Sequence, residues 1–152
     1  MIELAFFGGL CALLTAAAII DARTQRLPDV ITLGIGLMGA AYVLVTGGEI
    51  GAGVLGAVLG YGLIWGVNAL YRARRGHDGV GMGDAKLLAA GGLWIGWFGV
   101  PFVVLIGSSL ALAVIGYRHL RGDRVAATDR IAFGPYLAAG IAGVAGIQMH
   151  LV

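Results

Sequence analysis

Two aspartates stand in short polar stretches of an otherwise apolar chain, and a pair of carboxylates is the minimal equipment for acid–base hydrolysis. Asp21 lies in Ile20-Asp21-Ala22-Arg23-Thr24-Gln25-Arg26-Leu27-Pro28-Asp29, and Asp84 in Gly79-Val80-Gly81-Met82-Gly83-Asp84-Ala85-Lys86-Leu87-Leu88. An ionisable group at the edge of lipid is costly, so its default reading is a functional one. Amide hydrolysis by such a pair needs one ionised carboxylate to take a proton from attacking water. It also needs one neutral carboxyl to donate to the carbonyl oxygen or the leaving amine. Like charges at close range cannot both ionise, so two such groups in contact share one proton and titrate as a unit.

Structural readings compete at each position. Asp21 is equally suited to end a helix with Arg23 or Arg26 as partner, and Asp84 to serve as the N-cap of the helix that follows it. Gly81 and Gly83 carry no side chain, so a substrate backbone can approach and unusual φ/ψ values are open to them. Both properties suit a site that holds an extended peptide. Lys86 either acts on the carboxylates or a substrate carbonyl, or snorkels to lipid headgroups. Asp29, after Pro28, caps the second helix or helps to receive a basic substrate segment. His77-Asp78 offers two ligand types, too few to argue for a metal. The single cysteine, Cys11, excludes an internal disulfide and a Cys-x-x-Cys site, and reads as a small packing residue. No metal and no cofactor are expected.

The elements that must position these groups follow from composition. The chain has 152 residues, enough for one domain spanning 1–152, with 59 % hydrophobic and 12 % charged residues. A soluble domain carries about 25 % charged residues, so the chain is expected to be an all-α integral membrane protein surrounded by lipid. A net charge of +2 without basic stretches interleaved with aromatics argues against a nucleic-acid partner. The acidic start, Met1-Ile2-Glu3, does not resemble a cleaved signal peptide.

Spanning the hydrocarbon core takes about 20 apolar residues, and Ile2–Ile20, Val30–Thr46, Ile50–Tyr71 and Ile131–Val152 each qualify. Ala85–Tyr117 is too long for one span and slightly short for two. The ten basic residues fall in three clusters: Arg23 and Arg26; Arg72, Arg74, Arg75 and Lys86; Arg118, Arg121, Arg124 and Arg130. Lysine and arginine concentrate in cytoplasmic loops, so the chain must go out and return between Lys86 and Arg118, turning near Trp97–Pro101. That predicts six transmembrane helices, both termini outside, and Asp21 and Asp84 together at the cytoplasmic face. Glycine pairs at four-residue spacing, Gly56/Gly60, Gly62/Gly66 and Gly92/Gly96, predict close helix packing. Trp94 and Trp97 read as interface anchors at the outer turn. Phe133-Gly134-Pro135-Tyr136 opens the last helix on the carboxylates' side, with proline in its first turn, where Gly134 and Pro135 can contribute to a substrate groove.

Three segments together resemble a type IV prepilin peptidase, an intramembrane aspartyl protease of the Gly-x-Gly-Asp class. They are Asp21 with Leu27-Pro28-Asp29 and Thr32-Leu33; Gly81-Met82-Gly83-Asp84-Ala85-Lys86-Leu87-Leu88-Ala89-Ala90; and Ile131-Ala132-Phe133-Gly134-Pro135-Tyr136-Leu137-Ala138-Ala139-Gly140. The resemblance implies a six-helix peptidase core in the cytoplasmic (inner) membrane, with Asp21 and Asp84 as catalytic residues at its inner face. The implied substrates are prepilin or pseudopilin precursors, cut after a glycine that ends a short basic leader, just before the apolar pilin helix. Many bacterial members carry an additional amino-terminal region with paired Cys-x-x-Cys motifs associated with methylation. This chain starts at the first core helix with one cysteine, so the resemblance points to a peptidase-only form without a zinc site. Two other readings remain: a presenilin or signal-peptide-peptidase type protease, whose Pro-Ala-Leu motif is missing here, and a non-enzymatic six-helix transporter or assembly subunit.

Overall fold

The structure, a computed structural model, describes residues 1–76, 81–122 and 132–151. It is all-helical among these residues: α1 (Ile2–Thr24), α2 (Asp29–Thr46), α3 (Ile50–Arg75), α4 (Met82–Leu120) and α5 (Gly134–Leu151). His77-Asp78, Arg124, Arg130 and Ile131 lie outside the described residues. Four of the helices, α1 to α4, are long and apolar enough to cross a membrane. Large apolar side chains such as Leu37, Leu44, Val58, Leu105 and Leu112 point outward. Water would penalise that surface and lipid does not, so the chain is a multi-pass membrane protein.

Among the described residues the count is five helices rather than the expected six, and α4 explains why. At about 1.5 Å per residue, its 39 residues would make a straight rod of about 58 Å, nearly twice the ~30 Å hydrocarbon core. Its backbone is broken at Gly96, with φ 67° and ψ 177°, a conformation that only glycine adopts readily. Contacts with α5 show what the break does. Before it, Gly91 packs on Ile141, and the Ile95 carbonyl accepts a 3.1 Å hydrogen bond from Gln148 Nε2. After it, Gly99 packs near Val144, Val103 on Gly140 and Gly107 on Tyr136. The register on α5 rises along the first arm and falls along the second, so the chain doubles back at Gly96. The turn therefore sits just before the expected Trp97–Pro101 segment, and Pro101 lies within the second arm.

The first arm of α4 is the centre of the bundle. On one side α3 packs backbone to backbone. A Cβ on Gly56 would overlap the Gly92 carbonyl oxygen, and one on Gly60 would lie 2.8 Å from Leu88 O. Glycine pairing brings these helices together, as the spacing of Gly56/Gly60 and Gly92/Gly96 predicts. Gly62 and Gly66 have open space instead. On the other side α2 runs parallel to the arm, with Gly36 beside Ala90 and Leu93 and Gly39 beside Leu93 and Trp94. Trp94 is not an interface anchor. It is buried, its Nε1 donates to Ile35 O at 2.9 Å, and its ring stacks on Tyr42 at 5.3 Å. Trp97 is half exposed, as an anchor would be.

Candidate active site

Both aspartates are buried at one end of this bundle, Asp21 with 6 % and Asp84 with 7 % of its surface exposed. Asp21 lies in the last turn of α1. That helix is closed by Gln25, whose backbone is left-handed at φ 52° and whose N–H donates to Asp21 O at 2.8 Å. The reversal directs Leu27 inward against the core. Asp84 lies in the first turn of α4, two residues into a helix that starts at Met82 with Gly81 as its N-cap. It is therefore not the N-cap that the sequence also allowed; its own N–H donates to Gly81 O at 3.1 Å. The segments that carry them meet where Leu27, six residues after Asp21, abuts Gly83, the neighbour of Asp84. Separate hairpins thus bring them together.

The partner of Asp21 is neither Arg23 nor Arg26. Its Oδ2 accepts a 3.1 Å hydrogen bond from the backbone N–H of Gly134, the first residue of α5. N–H groups in the first turn of a helix have no intrahelical acceptor, so α5 supplies a donor that would otherwise be unsatisfied. Glycine is required there for space. A Cβ on Gly134 would lie 2.6 Å from Asp21 Oδ2 and 2.9 Å from its Cγ. Sequence reasoning missed this role. Its only trace was a glycine before the proline that starts the last helix.

Asp84 is held differently. Its Oδ1 is buried and has no hydrogen-bond partner among the described residues. Its position is set by the helix beneath it. A Cβ on Gly83 would lie 3.0 Å from Leu27 Cβ, so the start of α4 abuts the α1–α2 connection. Asn68 on α3, buried and polar, reaches Met82 Sδ at 3.9 Å; its signal was an amide within an apolar run.

Several expectations about the neighbours change. Neither Gly81 nor Gly83 has a positive φ, so unusual backbone conformation is not their role. Gly83 faces Leu27 rather than open space, whereas a Cβ on Gly81 would meet nothing among the described residues closer than Asp84 Oδ2 at 3.6 Å. Lys86 neither snorkels alone nor faces Asp84. Two residues on along a helix is roughly 200° round, and Lys86 Nζ forms a 2.6 Å ion pair with Asp29 Oδ1 on α2. Asp29 is the first residue of α2 and Pro28 its N-cap, so Asp29 links two helices instead of capping one. Pro135, next to Gly134, lines a groove between α1 and α5. Among the described residues, no three His, Cys, Asp or Glu side chains gather to hold a metal ion.

The end of the bundle that holds the carboxylates also holds Arg23, Arg26, Arg72, Arg74, Arg75, Lys86, Arg118 and Arg121, on the helix ends and short connections beside them. The opposite end, with Met1–Glu3, Gly47–Glu49 and Trp97, has no lysine or arginine.

Residues 9–116 match the family model described as the type IV leader peptidase family. The chain is 43 % identical over 133 residues to a prepilin leader peptidase/N-methyltransferase of Burkholderia pseudomallei (strain 1026b), covering 87 % of this chain and 43 % of that one. Proteins of the same description from Dickeya chrysanthemi and Escherichia coli (strain K12) are 38 % and 42 % identical. These alignments cover 98 % and 90 % of this chain, and 53 % and 60 % of those proteins. The chain thus spans about half the length of the curated relatives it matches. No solved structure matches it.

Proposed function

The chain belongs to the type IV leader peptidase family, and from that premise we propose that it is an aspartyl endopeptidase that removes the leader from prepilin-like precursors. The observation that carries the reading is the burial of two carboxyls, Asp21 and Asp84, at one end of a membrane protein, on segments that meet where Leu27 abuts Gly83. Membrane carboxyls are costly and pair for a purpose; proteolysis is the chemistry that such a pair and this family have in common.

The step needs one shared proton. The ionised carboxylate takes a proton from water as its oxygen bonds to the carbonyl carbon of the scissile peptide. The neutral carboxyl protonates the carbonyl oxygen. The tetrahedral species then collapses: the carbon–nitrogen bond breaks, the amine leaves with a proton, and the leader keeps a new carboxyl group. Water is the only other reactant. The proton belongs to the pair throughout. The backbone donor at Gly134 fixes the orientation of one carboxyl, which matters because small misplacement is expensive in rate.

In this reading the site lies at the cytoplasmic face of the inner membrane, with both termini outside. The support is the gathering of lysine and arginine at the carboxylate end, where the positive-inside rule puts them. Asp29 and Lys86 bridge α2 and α4 beside the site, and among the described residues Gly81 is the one beside Asp84 that leaves room for a passing substrate backbone. The test is co-expression with prepilin-type precursors, scored by a mobility shift and by sequencing the new amino terminus. Cleavage that ends just before the apolar segment, and is lost in Asp21→Asn and in Asp84→Asn, is the expected result. Cleavage retained in either variant would exclude the carboxyl pair.

A further inference from the structure

One apolar groove opens on the side of the bundle that faces lipid. Cys11, Leu14, Thr15, Ala18, Ile19 and Ala22 of α1 form one wall. Pro135, Ala138, Ala139 and Ala142 of α5 form the other. Alanines dominate, and Thr15 spends its hydroxyl on Cys11 O at 2.7 Å within its own helix, so the groove makes no polar demand. Its volume, about 390 Å³, is too small to engulf a helix but enough to seat one ridge of side chains, the way helices pack. Small residues along the walls let another helix backbone come close, the chief source of helix association in lipid.

The groove ends beside the carboxylate site. At its upper end Ala22 and Pro135 are the immediate neighbours of Asp21 and Gly134, the two residues joined by the 3.1 Å hydrogen bond. From there it descends along α1 to Cys11, ten residues and about 15 Å below Asp21. A peptide bond held at the carboxyls would have this depression within reach of whatever follows it in the precursor. Resting on the peptidase reading above, we propose that the α1–α5 groove docks the apolar helix that follows the scissile bond, which enters sideways from the bilayer. Recognition of the substrate is then divided: the carboxylate end takes the leader junction, and the groove takes the membrane segment.

Cys11 provides the test, because it is the only cysteine in the chain and lines the groove. Prepilin-type precursors that the wild-type protein cleaves are each given one cysteine between positions 4 and 16 after the scissile bond. They are oxidised in membranes with the Asp84→Asn chain, which cannot turn them over. Disulfide-linked product is expected to peak about ten residues after the bond and to recur with helical spacing of three to four. A parallel measurement fills the groove from its exposed rim with Ala139→Trp, away from the carboxyls. It should lower kcat/KM for the same precursors at least tenfold, with membrane insertion unchanged. Absence of linkage at every position, while the wild-type chain still cuts those precursors, would overturn the groove and leave the peptidase reading intact. So would Cys11 linking two copies of this chain regardless of precursor, or unimpaired cleavage by Ala139→Trp. Failure of the wild-type chain to cut any precursor would instead remove the peptidase reading.

Discussion

Asp21 and Asp84 occupy equally buried positions, but the surroundings of the two carboxyls are built on different plans. Asp21 is gripped directly: a backbone N–H from α5 bonds its oxygen, and the glycine that carries this donor leaves no room for a side chain. Asp84 is gripped from below. Its helix start is wedged by Leu27 against Gly83 and by Asn68 against Met82, while its Oδ1 has no partner among the described residues. One carboxyl is thus oriented by its own hydrogen bond and the other by the scaffold under it. Substitutions near Asp21 should therefore act by moving the carboxyl, and substitutions near Asp84 by moving a helix.

The largest effect tests what the two have in common. Asp21→Asn and Asp84→Asn preserve size but remove the proton that the proposed mechanism has the two carboxyls share. Each should lower prepilin cleavage by about 10³-fold or more, near the upper limit of general acid–base contributions, with insertion intact. The wild-type rate should fall on both sides of a pH optimum, because both carboxyls are protonated at the acid limit and both ionised at the alkaline one. A flat profile would remove the pair from the chemistry.

Gly134→Ala separates the two plans most sharply. It keeps both carboxyls but puts a methyl 2.6 Å from Asp21 Oδ2, so Asp21 must swing away. A loss of about 10²-fold in kcat is expected, the effect of an ångström-scale misplacement. Activity near wild type would mean that the α5 donor does not orient Asp21. Next come the glycines before Asp84. Gly83→Ala must push back Leu27 and should cost about 1 kcal/mol or more in stability, read by thermal denaturation in detergent, with a several-fold fall in cleavage. Gly81→Ala finds ordinary contact distance and should change stability little. Reversal of that order would show that the backbone at Gly81, and not the wedge at Gly83, sets Asp84. The smallest effect is expected for Lys86→Met. Its ion pair with Asp29 is largely solvent-exposed, and such pairs contribute about 0–1 kcal/mol. Its melting temperature should shift by a degree or two.

These differences also show what the sequence could reveal. The helices were legible because apolar runs report themselves locally, and Asp21 and Asp84 because a carboxyl within such runs stands out. The reversal in α4 was legible from the distribution of lysine and arginine, and its position nearly so: the expected segment, Trp97–Pro101, begins one residue after the break, which falls at Gly96 because only glycine takes φ 67° with ψ 177° without strain. The hydrogen bond between Gly134 and Asp21 spans 113 residues, and the Lys86–Asp29 pair spans 57. Neither has a local pattern, since a backbone donor looks the same at every glycine. Likewise, the glycine spacing predicted packing at Gly56 and Gly60 but could not distinguish them from Gly62 and Gly66, which differ only in whether a neighbour stands opposite.

That long-range bond has a consequence for biogenesis. A ribosome delivers Asp21 and Asp84 to the bilayer well before it delivers the segment whose amide clasps the earlier acid. A nascent chain halted after α4 would carry both acids and yet lack the clasp on Asp21. On the peptidase reading, cleavage would wait until α5 inserts and supplies the donor to Asp21.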